Sequence, residues 1–303
     1  MAALSGKNFK LADGNSVPAP AYGVGTKWYK HGRDQIDDKV VEALKTAVQK
    51  GFVHIDGAEV YNTDKEIGLA IEGHRDNLFL TDKYFVGDSS YSGKSEHGTP
   101  YESLKYHLKN ELKTDHVDLY LLHSPFVKKE FHGFTLAEAW QSVEKLKDEG
   151  LAKSIGVSNF AVEDLEEILK VAKHKPVVNQ IEFNAYLQNQ TPGIVEFAQK
   201  HDILIAAYSP LGPIVKGEEG EFTELLSKLG EKYSKTPGQV LLRWVVERNI
   251  LPVTTSSNPD RIRSFVEIFD FSLEKEEVQK LTDIGAKHKP LRQYWRNEYA
   301  KYD

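Results

Sequence analysis

Residues 117–159 read VDLYLLHSPFVKKEFHGFTLAEAWQSVEKLKDEGLAKSIGVSN. The stretch opens on an apolar run, Leu119–Leu122, that ends in His123, and then crosses a polar loop. It continues through Leu136–Glu149, where apolar residues recur at spacings of three and four with charges opposite, and returns to a second apolar run, Ser154–Val157. Short apolar runs suit strands covered on both faces, and the three-and-four spacing is the period of an amphipathic helix. Strand, helix and strand in this order form one crossover unit of a parallel sheet. Outward from this unit the alternation continues in both directions. Apolar runs at Tyr22–Gly25, Val53–Asp56, Leu78–Thr81, Val177–Ile181, Leu204–Ala207 and Leu251–Val253 bring the strands to eight, while Asp38–Lys50, Tyr101–Leu112 and Pro237–Arg248 repeat the helical period.

Eight is the number of strands that closes a parallel barrel. An open doubly wound sheet uses the same alternation, but no Gly-x-Gly-x-x-Gly turn follows the first strand here. The expected fold is therefore α/β, a (β/α)8 TIM barrel forming one domain over residues 1–303. A small hairpin turning at Asp13-Gly14 would precede it, and a loop with extra helices would follow. Asp82–Thr99 and Pro210–Glu221 read as long loops after the third and seventh strands, of the kind that act as lids or binding loops. Trp140 and Trp244, inside helical segments, are expected in the core.

Composition narrows the chemistry. The 39 basic and 45 acidic residues leave a net charge of -6 with no basic stripe, which argues against nucleic acid as a partner. The N-terminal MAALSGKNFK lacks the apolar centre of a secretion signal, and no segment is long and apolar enough for a bilayer, so a cytoplasmic protein with no membrane partner is expected. The absence of cysteine rules out disulfides, thiolate nucleophiles and cysteine-bound zinc. His54, His97, His107, His116 and His132 show no metal-binding spacing along the chain, and no metal is expected.

Functional groups of such barrels gather at the carboxyl ends of the strands. Asp56 ends the second strand, Lys83 lies just after the third, His123 ends the fourth, and Tyr61 follows Asp56 by one short loop. Each alone is as ordinary as a structural hydrogen-bonder; three ionisable groups on successive strands beside a phenol are a convergent set. A phenol titrating near ~10 is a poor acid at neutral pH unless a cation stabilises its phenolate. Lys83 is a candidate for that cation, with Asp56 keeping it charged, and His123 can donate a hydrogen bond to the same oxygen as Tyr61. The set suits reduction of a C=O. A different chemistry uses a strand-end lysine as a Schiff base in a barrel lyase or aldolase, which Asp56 opposes by favouring the charged amine.

In order and spacing, Asp56, Tyr61, Lys83 and His123 resemble the catalytic tetrad of the aldo-keto reductase family. The likeness covers almost the whole chain. It includes the continuation from Tyr61 to Glu66 and Gly68, the Leu-Leu-His-x-Pro run around His123, and Gly156-Val157-Ser158-Asn159-Phe160. The resemblance implies an NADPH-dependent oxidoreductase without a Rossmann fold, in which Tyr61 donates the proton to a small-molecule carbonyl and hydride comes from nicotinamide C4. It implies that Ser158, Asn159 and Gln180 hold the nicotinamide carboxamide, that Tyr208 stacks on the ring, and that Ser209, Leu211 and Gly212 line the pyrophosphate, with Thr26 and Lys27 facing the same cavity. Where many members carry Pro-Lys-Ser after the eighth strand, this chain has LPVTTSSNPDRIRSF. Thr255, Ser256, Ser257 and Asn258 would then supply neutral donors to the 2'-phosphate and Arg261, with Arg263 beyond it, the guanidinium; Phe265 stands where an Asn is common. NADPH is expected over NADH.

Trp28, Tyr29, Phe85, Phe126 and Trp295 are expected to form an apolar cup for the substrate. Among relatives the chain looks most like fungal reductases of conjugated polyketones and ketopantoyl lactone, with Ser124 where others carry Trp. A monomer or loose homodimer is expected. A regulatory subunit that binds NADPH but turns over negligibly is the remaining alternative, and the complete tetrad argues against it.

Overall fold

The computed structural model describes residues 7–303. Strands β1 (Asn8–Lys10) and β2 (Ser16–Pro18) form an antiparallel hairpin around the Asp13-Gly14 turn. The hairpin buries Phe9, Leu11 and Val17, and Asp13 accepts hydrogen bonds from Lys147 Nζ at 2.8 Å and Ser154 Oγ at 2.9 Å. Ser154 lies near the start of a barrel strand, Ala152–Ser158, and Lys147 in the last turn of the helix that leads into it, so the hairpin plugs the end opposite the strand carboxyl ends.

Eight parallel strands follow and close on themselves: β3 (Ala21–Gly23), β4 (His54–Asp56), β5 (Phe79–Tyr84), β6 (Val117–Leu122), β7 (Ala152–Ser158), β8 (Val178–Glu182), β9 (Leu204–Tyr208) and β10 (Leu251–Thr254), with β10 paired to both β9 and β3. Helices pack around this sheet because their starts and faces are specified locally. Thr99, Thr135 and Thr236 cap the helices Pro100–His107, Leu136–Asp148 and Pro237–Glu247 in reciprocal boxes with Glu102, Glu138 and Gln239. Leu136, Ala139, Trp140, Val143 and Leu146 then face inward, each large aliphatic contributing roughly 1.5–3 kcal/mol on burial. Trp140 and Trp244 are fully buried, as expected of core residues. Further helices at Val162–Val171, Ile194–Lys200, Glu221–Tyr233 and Pro259–Val266 complete the ring, and Lys275–Ala286 leads to the C-terminal tail. Among the described residues no helix is long and apolar enough to cross a membrane.

Several boundaries differ from the sequence expectation for one reason: polar residues at strand ends are paired inside the barrel and stay in the ladder. β5 runs on through Asp82, Lys83 and Tyr84, so Lys83 lies within the strand and the loop begins at Phe85. β7, β8 and β9 likewise take in Ser158, Glu182 and Tyr208. The loop expected over Pro210–Glu221 contains a helical turn, Gly212–Val215, started by Pro213. The helix expected over Tyr101–Leu112 is α-helical to His107 and continues as a π-helical turn, Leu108–Leu112. That turn approaches the helix Asp64–Ile71 so closely that a Cβ on Gly68 would fall 2.4 Å from the carbonyl oxygen of Glu111. His54 is structural: its ring joins Pro18 O and Thr81 Oγ1, each at 2.8 Å.

Candidate active site

At the carboxyl ends of β4, β5 and β6 the structure gathers the four expected polar residues. Lys83 is fully buried, and its Nζ donates to Asp56 Oδ1 at 2.6 Å and to the carbonyl of Gly57 at 2.7 Å. The other carboxylate oxygen of Asp56 accepts from Gln180 Nε2 at 2.8 Å, so β8 also holds the pair. Tyr61 sits on the 3-10 turn Glu59–Tyr61, with its hydroxyl 3.5 Å from His123 Nε2 and its ring centroid 5.3 Å from Lys83 Nζ. Gly25, just past β3, leaves room for it: a Cβ there would lie 2.9 Å from Tyr61 Cζ.

The turn is braced by residues that sequence reading did not single out for this purpose. Lys30 and Glu66 form a fully buried ion pair at 2.7 Å, while the Lys30 amide donates to the Tyr61 carbonyl at 3.1 Å. Glu59 Oε2 accepts from the Phe85 amide at 2.9 Å and from Ser103 Oγ at 3.1 Å. Lys30 and Glu66 lie 36 residues apart, and nothing in their local pattern announces burial.

Burial and the Lys83 charge set the protonation states. Burial alone would push the Lys83 amine down, but the carboxylate of Asp56, with the Tyr61 phenol beside it, overturns this and holds the pKa above its ordinary value. An amine so held is an ammonium, unsuited to attack a carbonyl carbon. His123 is pushed well below the ordinary imidazole range, first by burial and then by Lys83, and is neutral at pH 7. Tyr61 is pulled down by Lys83, but burial is the larger influence and its pKa stays raised. The expected acidification of the phenol is thus present as a pull and does not win. Before reaction the phenol carries its proton.

Ser158 and Asn159, at the end of β7, are buried beside Gln180 and Tyr208. Ser158 Oγ donates to the Gln180 carbonyl at 2.8 Å. Asn159 Nδ2 donates to the His123 carbonyl at 2.9 Å, and its Oδ1 accepts from Tyr208 Oη at 2.8 Å and Gln190 Nε2 at 3.0 Å. Amide donors and acceptors beside a half-buried tyrosine face fit a planar ring that carries a carboxamide. Ser209, with φ of 57°, turns the chain into Leu211 and the buried Gly212.

After β10, Thr255 Oγ1 accepts from the Trp28 indole at 3.1 Å, Ser256 Oγ accepts from the Asn258 amide at 3.0 Å, and Asn258 caps the helix Pro259–Val266. Thr26, Lys27, Ser257 and Arg261 are exposed. Among the described residues Arg261 makes no ion pair, whereas Arg263 is tied to Glu267 at 2.8 Å. Arg261 is therefore the free guanidinium of the two, and Phe265 is buried in the core. Thr255 is half-buried and Ser256 buried, so one exposed hydroxyl, that of Ser257, and one free guanidinium at a helix start are left to fit a phosphate.

The candidate cup residues divide. Tyr29 meets the Tyr61 ring edge-on at 5.8 Å, and Phe126 lies 5.6 Å from Trp295. Phe85 packs close to Gly93 of its own loop, where a Cβ on Gly93 would fall 3.3 Å from its ring, and Trp28 is turned to Thr255. The tail adds Tyr294, which sequence reading missed: its hydroxyl is 3.1 Å from Thr26 Oγ1 and its ring 5.7 Å from that of Tyr208. Glu182, at the end of β8, holds the tail there by accepting from the Gln293 and Tyr294 amides at 2.8 and 3.1 Å.

Residues 22–286 match the model of the Aldo/keto reductase family. The chain is 50% identical to an NADPH-dependent alpha-keto amide reductase of Saccharomyces cerevisiae, over 97% of this chain and 96% of that one. It is 36% identical to an NAD/NADP-dependent indole-3-acetaldehyde reductase of Schizosaccharomyces pombe, over 91% and 95%. Its backbone superposes with a TM-score of 0.81 on the crystal structure of a Bombyx mori aldo-keto reductase in complex with NADP, at 30% identity and covering 97% of this chain and 98% of that one.

Proposed function

We propose that this chain, which belongs to the aldo/keto reductase family and is an NADPH-dependent oxidoreductase, reduces a ketone that lies beside a second carbonyl, with Tyr61 as its proton donor. The observation that carries the chemistry is the convergence of the Tyr61 hydroxyl and His123 Nε2, 3.5 Å apart, next to a buried ammonium.

In this reading NADPH, when bound, supplies hydride to the carbonyl carbon. Ser158, Asn159 and Gln180 would hold its carboxamide and Tyr208 its ring face. Ser209, Leu211 and Gly212, with Thr26 and Lys27, would lie along the pyrophosphate, and Thr255, Ser256, Ser257, Asn258 and Arg261 would hold the 2'-phosphate. Tyr61 Oη and neutral His123 hydrogen-bond the carbonyl oxygen and stabilise charge developing on it. The phenolic proton passes to that oxygen, leaving a phenolate that the Lys83 ammonium stabilises and Asp56 keeps in place. The held ammonium counts against a Schiff-base mechanism.

The substrate class rests on a shared feature. Alpha-keto amides, ketopantoyl lactone and conjugated polyketones all place the reacting carbonyl next to an electron-withdrawing one, which makes its carbon more receptive to hydride. Tyr29, Phe126 and Trp295 offer flat apolar walls to such planar molecules. The protein is proposed to act in the cytoplasm as one barrel domain, a monomer or loose homodimer.

Tyr61→Phe tests the mechanism. It is expected to lower kcat by about 10²–10⁴-fold while NADPH affinity, read by quenching of tryptophan fluorescence, stays within about twofold. Retained turnover overturns the assignment. A cyclic diketone, an alpha-keto lactone and an alpha-keto amide should each exceed a matched simple ketone in kcat/KM by at least about tenfold, and equal values overturn the substrate class.

A further inference from the structure

Behind the Tyr61 turn lies a second group of ionisable side chains that the reduction does not use. Glu59 on the turn, His97 in the loop after β5 and His107 at the end of the helix Pro100–His107 each place one ligand atom within 4.8 Å of the others. His107 is buried, 4% exposed; its Nε2 has no hydrogen-bond partner and lies 3.7 Å from Glu59 Oε1. On the opposite side of the ring, Nδ1 hydrogen-bonds Glu111 Oε2 at 2.9 Å and faces Asp64 Oδ2 at 2.8 Å. Burial opposes charge on this ring, but the carboxylates of Asp64 and Glu111 at Nδ1 and of Glu59 facing Nε2 hold its pKa far above the ordinary imidazole range, so without metal it is an imidazolium with Nε2–H toward Glu59. A divalent cation bound at Nε2 would take the place of that proton among the same three carboxylates.

Metal-binding histidines have this arrangement: one ring nitrogen ligates while the other gives its N–H to a carboxylate, which fixes the tautomer and raises the basicity of the ligating nitrogen. Zinc bonds to histidine nitrogen and carboxylate oxygen are about 2.0–2.2 Å, so ligand atoms roughly 3.3–3.7 Å apart can share one ion. We infer that Glu59, His97 and His107 form a divalent-cation site suited to Zn²⁺, with Glu111 and Asp64 as its outer carboxylates. The two nitrogens and one oxygen match the ligand preference of zinc, a fourth position is left for water, and half-exposed His97 gives access from solvent. The contrary expectation rested on spacing along the chain. These residues are separated by a strand and a long loop, and that loop is brought back by Ser95 Oγ and the Phe85 amide, both of which donate to Glu59. An ion here would tie the turn that carries Tyr61 to the loop after β5.

The test uses the full-length, tag-free protein, stripped with a chelator and titrated with Zn²⁺ or Co²⁺ alone. One equivalent should bind, Co²⁺ should give the visible absorption of tetrahedral coordination, and saturating Zn²⁺ should raise Tm. His97→Ala, at a half-exposed loop position that folding tolerates, should weaken binding at least tenfold, and Glu111→Gln about 10–100-fold. Absence of cobalt bands, or unchanged affinity in His97→Ala, overturns the site. So does a His107 ring that keeps protons on both nitrogens throughout the titration by NMR, because the cation would then be the imidazolium itself.

Discussion

Replacing Asp56 with Asn tests the electrostatic reasoning at its centre. The carboxylate accepts from Lys83 Nζ at 2.6 Å on one oxygen and from Gln180 Nε2 at 2.8 Å on the other, and both charged side chains are buried. Asparagine keeps the shape but exchanges one acceptor for an NH2 donor. In either orientation that donor faces another, the Lys83 amine or the Gln180 amide. Breaking a buried pair by removing one partner costs about 3–5 kcal/mol. The penalty has a ceiling, because the stranded amine sheds its proton once that is easier than staying charged. For a lysine with an ordinary pKa of ~10.4, neutralisation at pH 7 costs about 4–5 kcal/mol, at about 1.36 kcal/mol per unit. The sign with pH follows. In the variant the folded-state amine titrates below its unfolded value, so the unfolded chain binds more protons and stability rises with pH by up to about 1.36 kcal/mol per unit. Urea unfolding followed by tryptophan fluorescence at pH 7 and pH 9, with matched slopes, measures both quantities. A penalty below about 1 kcal/mol at pH 7, or one that does not shrink by pH 9, refutes a charged Lys83 held by Asp56.

Gly25→Ala places a methyl carbon 2.9 Å from Tyr61 Cζ, so the phenol must shift; kcat is expected to fall about 10–100-fold with a folding penalty of only about 1–3 kcal/mol by thermal melting. Arg261→Ala removes the free guanidinium at the start of the helix Pro259–Val266 and should raise KM for NADPH about 10–100-fold while leaving KM for NADH unchanged; equal effects on both coenzymes would place the 2'-phosphate elsewhere. Burial pushes Glu182 up to about 7, against the Gln293 and Tyr294 amides that pull it down. Since this carboxyl binds its proton more readily in the folded state than in the unfolded one, its contribution is greatest below the ordinary carboxylate range and is lost as pH rises to about 7. Glu182→Gln should therefore gain stability relative to the unsubstituted protein, by about 1–3 kcal/mol between pH 5 and pH 8 in urea titrations, and a pH-independent difference would count against the buried-proton account.

Much of the barrel can be read along the chain because strand and helix alternation is a local property: Leu136–Asp148 carries its cap at Thr135 and its buried face in its own residues. Asp56, Lys83 and His123 were legible for a related reason, as polar groups that interrupt apolar runs at a common end of the sheet. Strand ends were less legible. Lys83 reads as the start of a loop until its counter-ion, 27 residues away, is seen to hold it in β5. The hold of Glu182 on the tail spans 111 and 112 residues, the Asp56–Gln180 bond spans 124, and the Tyr294 contact with Thr26 spans 268. No periodicity connects residues so far apart.

The sequence by itself determined the element order, the eight-fold count and the identity of the polar groups at the strand ends, since each depends on neighbouring residues and on the handedness of a strand-helix-strand unit. Tertiary structure alone decided their protonation and pairing. Lys83 is charged, His123 neutral and Tyr61 protonated because of what closure of the barrel buries beside them. It decided too that Arg261 is free and Arg263 is not, and that His97 and His107 meet Glu59. These are properties of distance and dielectric, which come into existence when β10 pairs with β3 and the loops are carried with their strands.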